Sequence, residues 1–74
     1  MEKNWNKIYS TSNFYTAEMV RQMLIDNNIP AVIMNKQDSS YRFGFVEVFI
    51  HQDNETAAKA LIAEFDAGNP MEEE

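Results

Sequence analysis

The stretch "GFVEVFIHQ", residues 44–52, has the clearest strand pattern of the chain, and it decides the fold. Its side chains alternate, so that one face carries Val46, Val48 and Ile50 and the other carries Phe45, Glu47, Phe49 and His51. Alternation with branched apolar residues on one face predicts a β-strand that covers a core on that face.

The segment "IPAVIMNK", residues 29–36, predicts a strand that precedes it. Ala31 and Ile33 would share one face, and Val32 and Met34 the other. Pro30 has no amide to donate, so we expect it at the start of the strand or on an edge. The two strands are joined by the polar stretch "MNKQDSSYRFGF", residues 34–45. This connection is longer than the about two to five residues that hairpins favour.

The first strand is predicted over residues 4–10, within "NWNKIYST". Its alternation places Trp5, Lys7 and Tyr9 on one face, with Asn6, Ile8 and Ser10 on the opposite face.

A helix follows, in "YTAEMVRQMLIDNN", with Ser12 or Asn13 as its N-cap. Its core stripe is predicted at Ala17, Val20 and Leu24, and Phe14 could extend that stripe. We expect the helix to stop at residues 27–28, because Asn tolerates the left-handed conformation.

A second helix is predicted in "DNETAAKALIAEFDAGNP", residues 53–70. Asp53 or Asn54 would cap it, and Gly68 followed by Pro70 would end it. Its apolar side is predicted to consist of Ala57, Ala60, Leu61, either Ala58 or Ile62, and Phe65.

The predicted order β-α-β-β-α defines an α+β fold. A strand–helix–strand crossover returns the second strand parallel to the first, and the third strand can then insert between them. The result is a ferredoxin-like half-sandwich with a three-stranded antiparallel sheet in the order 1-3-2 and two helices on one face. Residues 1–67 would form a single domain, followed by an acidic, flexible C-terminal tail at 68–74.

The composition narrows the classes of partner. Six Lys and Arg are scattered among twelve Asp and Glu, which gives a formal net charge of −6. Nucleic-acid binders need a concentrated basic face, so neither nucleic acid nor an anionic membrane is an expected partner. No apolar run approaches the roughly 18 residues of a membrane span, and a cytoplasmic location is the default expectation. Because a domain of this size without cysteine is marginally stable, dimerisation is a common remedy.

The sheet face away from the helices is the first candidate site. It would carry Trp5, Tyr9, Val32, Met34, Phe45 and Phe49. An exposed apolar patch of this kind usually marks an interface, so we predict contact with a second copy of the chain or with another protein. Cover by the long loop or the tail, and a platform for a small ligand, are the alternatives.

The connection between strands two and three is the second candidate site. Its polar side chains could form a rim that recognises a polar or anionic small molecule. The candidates are Asn35, Lys36, Asp38, Ser39, Ser40, Tyr41 and Arg42. An ordinary solvated hairpin loop is the competing interpretation.

Catalysis is not expected. Ser39 and Ser40 beside Asp38 lack a nucleophile elbow, and the single His51 is better explained as a surface residue beside a helix cap. No spaced set of metal ligands is visible, so no metal and no cofactor are predicted.

Several short motifs resemble a family of small bacterial domains described as "putative prokaryotic signal transducing protein". They are "IYST" at 8–11, "AE" at 17–18, "ML" at 23–24, "IPA" at 29–31, "VEVFI" at 46–50 and "AAKA" at 57–60. The resemblance covers residues 5–65. It implies a fold like that of the PII nitrogen regulators and a regulatory or ligand-sensing role.

Together the residues and the resemblance predict a non-enzymatic signalling or regulatory binding module. It would act through the open sheet face and the loop between strands two and three. A small-molecule sensor for a nucleotide or an amino-acid-like ligand is the alternative.

Overall fold

The computed structural model describes residues 4–35 and 45–68. The elements are β1 (Trp5–Thr11), α1 (Phe14–Asp26), β2 (Ala31–Asn35), β3 (Val46–His51), a single 3₁₀ turn (Gln52–Asn54) and α2 (Glu55–Gly68). The strands form one antiparallel sheet in the order β1-β3-β2. The predicted α+β fold, with its β-α-β-β-α order and central third strand, is confirmed.

The core lies between the sheet and the two helices. Val46, Val48 and Ile50 of β3 are fully buried, as their alternation predicts. The predicted stripe of α1 is confirmed as well, since Ala17, Val20 and Leu24 are also fully buried. Phe14 does not extend this stripe, because its side chain is 46% exposed at the first position of the helix.

Both ends of α1 are satisfied by asparagine. The side chain of Asn13 accepts hydrogen bonds from the amides of Tyr15 and Thr16, at 2.9 and 3.3 Å. At the other end Asn28 adopts a positive φ of 65°. The amides of Asn28 and Ile29 donate to the carbonyls of Ile25 and Leu24, each at 2.9 Å. This is a Schellman motif, and it turns the chain directly into β2.

A β-bulge in β1 places Tyr9 on the opposite side of the sheet from the one that the sequence predicts. Lys7 pairs with Phe49 and Tyr9 pairs with Val48, so Ile8 is the extra residue. Tyr9 therefore shares the side of the buried Val48, and its ring meets Phe65 of α2 edge-on at a centroid distance of 6.4 Å. Both Ile8 and Tyr9 pack against the core. The prediction that Tyr9 lies on the open face is wrong, because simple alternation does not count an inserted residue.

The buried side of α2 also differs from the prediction. Ala58 and Ile62 are buried, with Leu61 and Phe65 packed against the core. Ala57 and Ala60 are exposed, although both were expected on the apolar side. Alanine is as favourable in an exposed helix position as in a buried one, so its presence does not mark a core face.

Candidate functional site

The strand register defines an open face, on the side of the sheet away from the helices. We use this name for the residues that alternate with the buried ones on the three strands. They are Trp5, Lys7 and Ser10 on β1, Val32 and Met34 on β2, and Glu47, Phe49 and His51 on β3. None of the described helices lies over this face.

An aromatic corner occupies one end of the open face. Trp5 pairs with His51 across the strands, and their rings meet edge-on at a centroid distance of 6.0 Å. Nδ1 of His51 accepts a hydrogen bond from the amide of Asp53 at 3.1 Å, which caps the 3₁₀ turn. In this arrangement a neutral imidazole carries its proton on Nε2. Nδ1 of His51 therefore has a structural role, as the hydrogen-bond acceptor that caps the 3₁₀ turn.

An ion pair crosses the middle of the open face. Nζ of Lys7 lies 3.4 Å from a carboxylate oxygen of Glu47, and the Glu47 side chain is only 15% exposed. The pair partly neutralises the only two ordinarily charged side chains on the face. Pairs of this kind contribute about 0–1 kcal/mol to stability, so we regard it as a marker of orientation rather than a source of stability.

An apolar strip runs from the centre of the sheet to its β2 edge. Phe49 pairs with Val32 across the strands. The Val32 side chain is 41% exposed and that of Met34 is 37% exposed. Phe45, immediately before β3, is 53% exposed. These side chains together form an exposed apolar strip on the open face.

A polar contact on the helix side fixes the start of α2 to β1. The Asn6 side-chain amide donates to a carboxylate oxygen of Glu55 at 3.1 Å, and Nζ of Lys59 lies 3.2 Å from the other. The hydrogen bond from Asn6, followed by the hydrogen bond and charge of Lys59, holds the pKa of Glu55 below its usual value. The ionised form of Glu55 therefore stabilises the fold.

Within residues 4–35 and 45–68 no cluster of three or more His, Asp or Glu is placed to hold a metal ion. In the same ranges every buried side-chain nitrogen and oxygen has a hydrogen-bond partner. The open face offers aromatic and aliphatic surface, one ion pair and one imidazole.

The structure brings together most of the predicted interface residues. Trp5, Met34 and Phe49 lie on the open face, Phe45 borders it, and Tyr9 does not belong to it. Among the predicted loop candidates, Asn35 ends β2 opposite Val46. The others, which are Lys36, Asp38, Ser39, Ser40, Tyr41 and Arg42, lie outside the described residues. Lys7 and Glu47 were not predicted as a pair, although their alternation already placed both on this face.

These features define a small α+β domain of the ferredoxin-like half-sandwich type, with one sheet face covered by helices. A family model matches residues 5–66. The chain belongs to that family, whose description is "putative prokaryotic signal transducing protein".

No curated protein and no solved structure matches the chain significantly. Among the described helices, neither is long and apolar enough to cross a membrane.

Proposed function

We propose that the protein is a non-enzymatic, cytoplasmic regulatory module that binds another protein through its open face. The family description supports a role in signal transduction. The apolar strip of Phe49, Val32 and Met34 supports the location of the site, because Val32 and Met34 are 41% and 37% exposed and the neighbouring Phe49 is half-buried. This strip is the observation that carries the proposal.

The charges support a protein partner. Each Lys and Arg of the described residues is paired with a carboxylate: Lys7 with Glu47, Arg21 with Glu18, and Lys59 with Glu55. The surface of residues 4–35 and 45–68 therefore offers no surplus of cations to a phosphate-rich ligand. Burial of an apolar strip with a polar rim is the usual basis of protein recognition.

Site-specific photo-crosslinking in cells tests the proposal. A photoreactive phenylalanine analogue is placed at Phe49, in the middle of the open face. The matched control carries the same analogue at Phe14, an exposed phenylalanine on the helix layer. We expect discrete crosslinked proteins from position 49 that are absent from position 14.

A candidate from that experiment is then purified and its affinity measured. The substitution Phe49→Thr should weaken binding at least tenfold, or about 1.4 kcal/mol, while Phe14→Thr should leave it unchanged. Circular dichroism confirms that both variants are folded. Identical crosslinks from both positions, or equal affinities of the two variants, would overturn the proposal.

The alternative of a small-molecule sensor gives a different result. A thermal-shift screen against nucleotides and amino acids would then raise the melting temperature of the wild type. Lys36→Ala and Arg42→Ala would abolish that shift, whereas Phe49→Thr would retain it.

A further inference from the structure

The connection from β3 to α2 is held to β1 at both of its ends. At its first residue, the amide of Gln52 donates to the carbonyl of Asn4 at 2.7 Å. At its far end, the carboxylate of Glu55 accepts a hydrogen bond from the side chain of Asn6 at 3.1 Å. Residues 53–54 lie between these two contacts, so they can rearrange while the ends of the connection stay attached to the sheet.

His51 contacts two different groups of Asp53 with the same ring nitrogen. Nδ1 accepts a hydrogen bond from the Asp53 amide at 3.1 Å and lies 3.5 Å from a carboxylate oxygen of the same residue. The first contact requires an unprotonated Nδ1, because a protonated ring nitrogen can only donate. The second contact is an ion pair only when the ring is protonated. The two contacts therefore belong to different protonation states of His51.

The other charged groups around the ring have partners of their own. On the open face, Lys7 and Glu47 pair with each other at 3.4 Å. On the helix side, the carboxylate of Glu55 is held by a hydrogen bond and an ion pair. The His51 side chain is 34% exposed, so protons from water reach the ring. In the described part of the chain, the Asp53 carboxylate is thus the acidic group that contacts the imidazole.

We propose that protonation of His51 exchanges one contact with Asp53 for the other. In the neutral ring, Nδ1 accepts from the Asp53 amide and caps the 3₁₀ turn. When the ring takes up a proton from water, Nδ1 donates it to the Asp53 carboxylate, and the amide loses its acceptor. Histidine is the side chain that ordinarily changes its charge between about pH 5 and pH 8, so these two pH values compare the two states.

The exchange has two structural consequences. It places a positive charge at one end of the open face, beside the Trp5 ring, which meets the imidazole edge-on at a centroid distance of 6.0 Å. It also releases one backbone amide of the turn that leads into α2. Only the connection between β3 and α2 takes part, so a failure of the exchange would leave the proposed function of the open face untouched.

NMR spectroscopy of the isotope-labelled protein tests the exchange directly. At about pH 8, a coupling through the hydrogen bond should join the amide nitrogen of Asp53 to Nδ1 of His51, and the ring proton should reside on Nε2. The coupling should disappear as the ring is protonated. The amide resonance of Asp53 should move with the same midpoint as the ring resonances of His51.

His51→Asn is the matched variant that keeps the cap and removes the titration. An asparagine oxygen can accept from the Asp53 amide at any pH, as Asn13 accepts from the amide two residues ahead of it at the start of α1. The Asp53 amide resonance of this variant should stay nearly constant between about pH 5 and pH 8, whereas that of the wild type should move.

Asp53→Ala tests the second contact. This variant keeps the backbone amide and removes the carboxylate, so it should retain the coupling to Nδ1 while the ring is neutral. Once its ring is protonated, Nδ1 has neither partner. Residues 53–54 should then be more mobile than in the protonated wild type, as relaxation of their backbone amides measures. Circular dichroism confirms that both variants are folded.

Three results would overturn the proposal. The first is a neutral ring that carries its proton on Nδ1, since that nitrogen could not cap the turn. The second is an Asp53 amide that does not respond when the ring of the wild type is protonated, or that responds equally in His51→Asn. The third is a turn that stays as ordered in protonated Asp53→Ala as in the protonated wild type.

Discussion

The two edge strands of the sheet, β1 and β2, differ in where they place their side chains. β1 inserts one residue, Ile8, and the bulge turns both Ile8 and Tyr9 towards the core. β2 remains regular and leaves Val32 and Met34 exposed on the open face. One edge therefore uses its side chains to anchor α2, and the other keeps them accessible. The difference shows that the two edge strands of one small sheet can place their side chains differently, against the core in one and on the accessible face in the other.

Truncation of the inward tyrosine should give the largest difference between the edges. Tyr9→Ala removes the contact with Phe65 and leaves a cavity beneath α2. We expect a loss of about 2–3 kcal/mol in the free energy of unfolding. Met34→Ala, on the exposed edge, should cost under about 1 kcal/mol. Urea denaturation monitored by circular dichroism measures both; equal losses would show that Tyr9 has no anchoring role.

Deletion of Ile8 should make β1 regular like β2. Removal of the extra residue leaves Lys7 opposite Phe49 and Tyr9 opposite Val48, so every other side chain keeps its face. We expect a folded protein that is less stable by about 1–2 kcal/mol, through the lost packing of Ile8.

One further variant helps to interpret the Ile8 deletion. Ile8→Ala keeps the bulge and removes only the side chain, so it should show the stability loss without any change in association. The deletion should in addition allow β1 to associate with other chains, as seen by sedimentation. A deletion variant that does not fold would show that the bulge itself is required.

A smaller effect is expected at the turn that leads into β2. Asn28 has a φ of 65°, a conformation that costs a residue such as alanine roughly 1–2 kcal/mol. Asn28→Ala should therefore lower stability by about 1 kcal/mol, whereas Asn28→Gly should be neutral or slightly stabilising. Asn4 has a φ of 81° immediately before β1. Asn4→Ala and Asn4→Gly therefore give the matching comparison at the other edge strand. If Ala and Gly have the same effect at position 28, the positive φ does not limit stability there.

The smallest effect concerns the hydrogen bond between Asn6 of β1 and Glu55 of α2. Because the pKa of Glu55 is lowered in the folded state, its contribution is present above the unfolded pKa and is lost as the pH falls through the folded pKa. Glu55→Gln should therefore reduce the melting temperature at pH 7, and the difference from the wild type should shrink as the pH falls through the acid range. Asn6→Ala should show the same pH dependence, because Asn6 is the largest cause of the shift. Glu64→Gln is the control for removal of a charge from α2; a pH-independent loss in Glu55→Gln would refute this account.

The helices and strands could be predicted from the sequence wherever one periodic pattern of apolar residues ran through the whole element. The alternation of β3 and the spacing of Ala17, Val20 and Leu24 gave the correct buried faces, and from these the order of the sheet followed. The capping chemistry of asparagine also located both ends of α1. For the open face, the same alternation correctly placed Trp5, Val32, Met34 and Phe49.

The remaining errors have physical causes. Tyr9 was misplaced because a bulge adds a residue without any signal in an alternating pattern that is already short. Ala57 and Ala60 were misplaced because alanine fits both surfaces of a helix. Contacts between distant positions, such as Asn6 with Glu55 and Trp5 with His51, depend on register and packing, which local patterns do not contain.

The central position of β3 has a consequence for how the chain folds. β1 and β2 both need β3 as their hydrogen-bonding partner, and β3 comes after both of them in the sequence. A chain that ends before residue 46 can form α1 but has no sheet for that helix to cover. The pairing of Trp5 with His51 closes most of the chain into one loop. The chain therefore loses conformational entropy on closing this loop before the contacts between the strands can stabilise it. During synthesis, the three-stranded sheet therefore cannot form until β3 has left the ribosome.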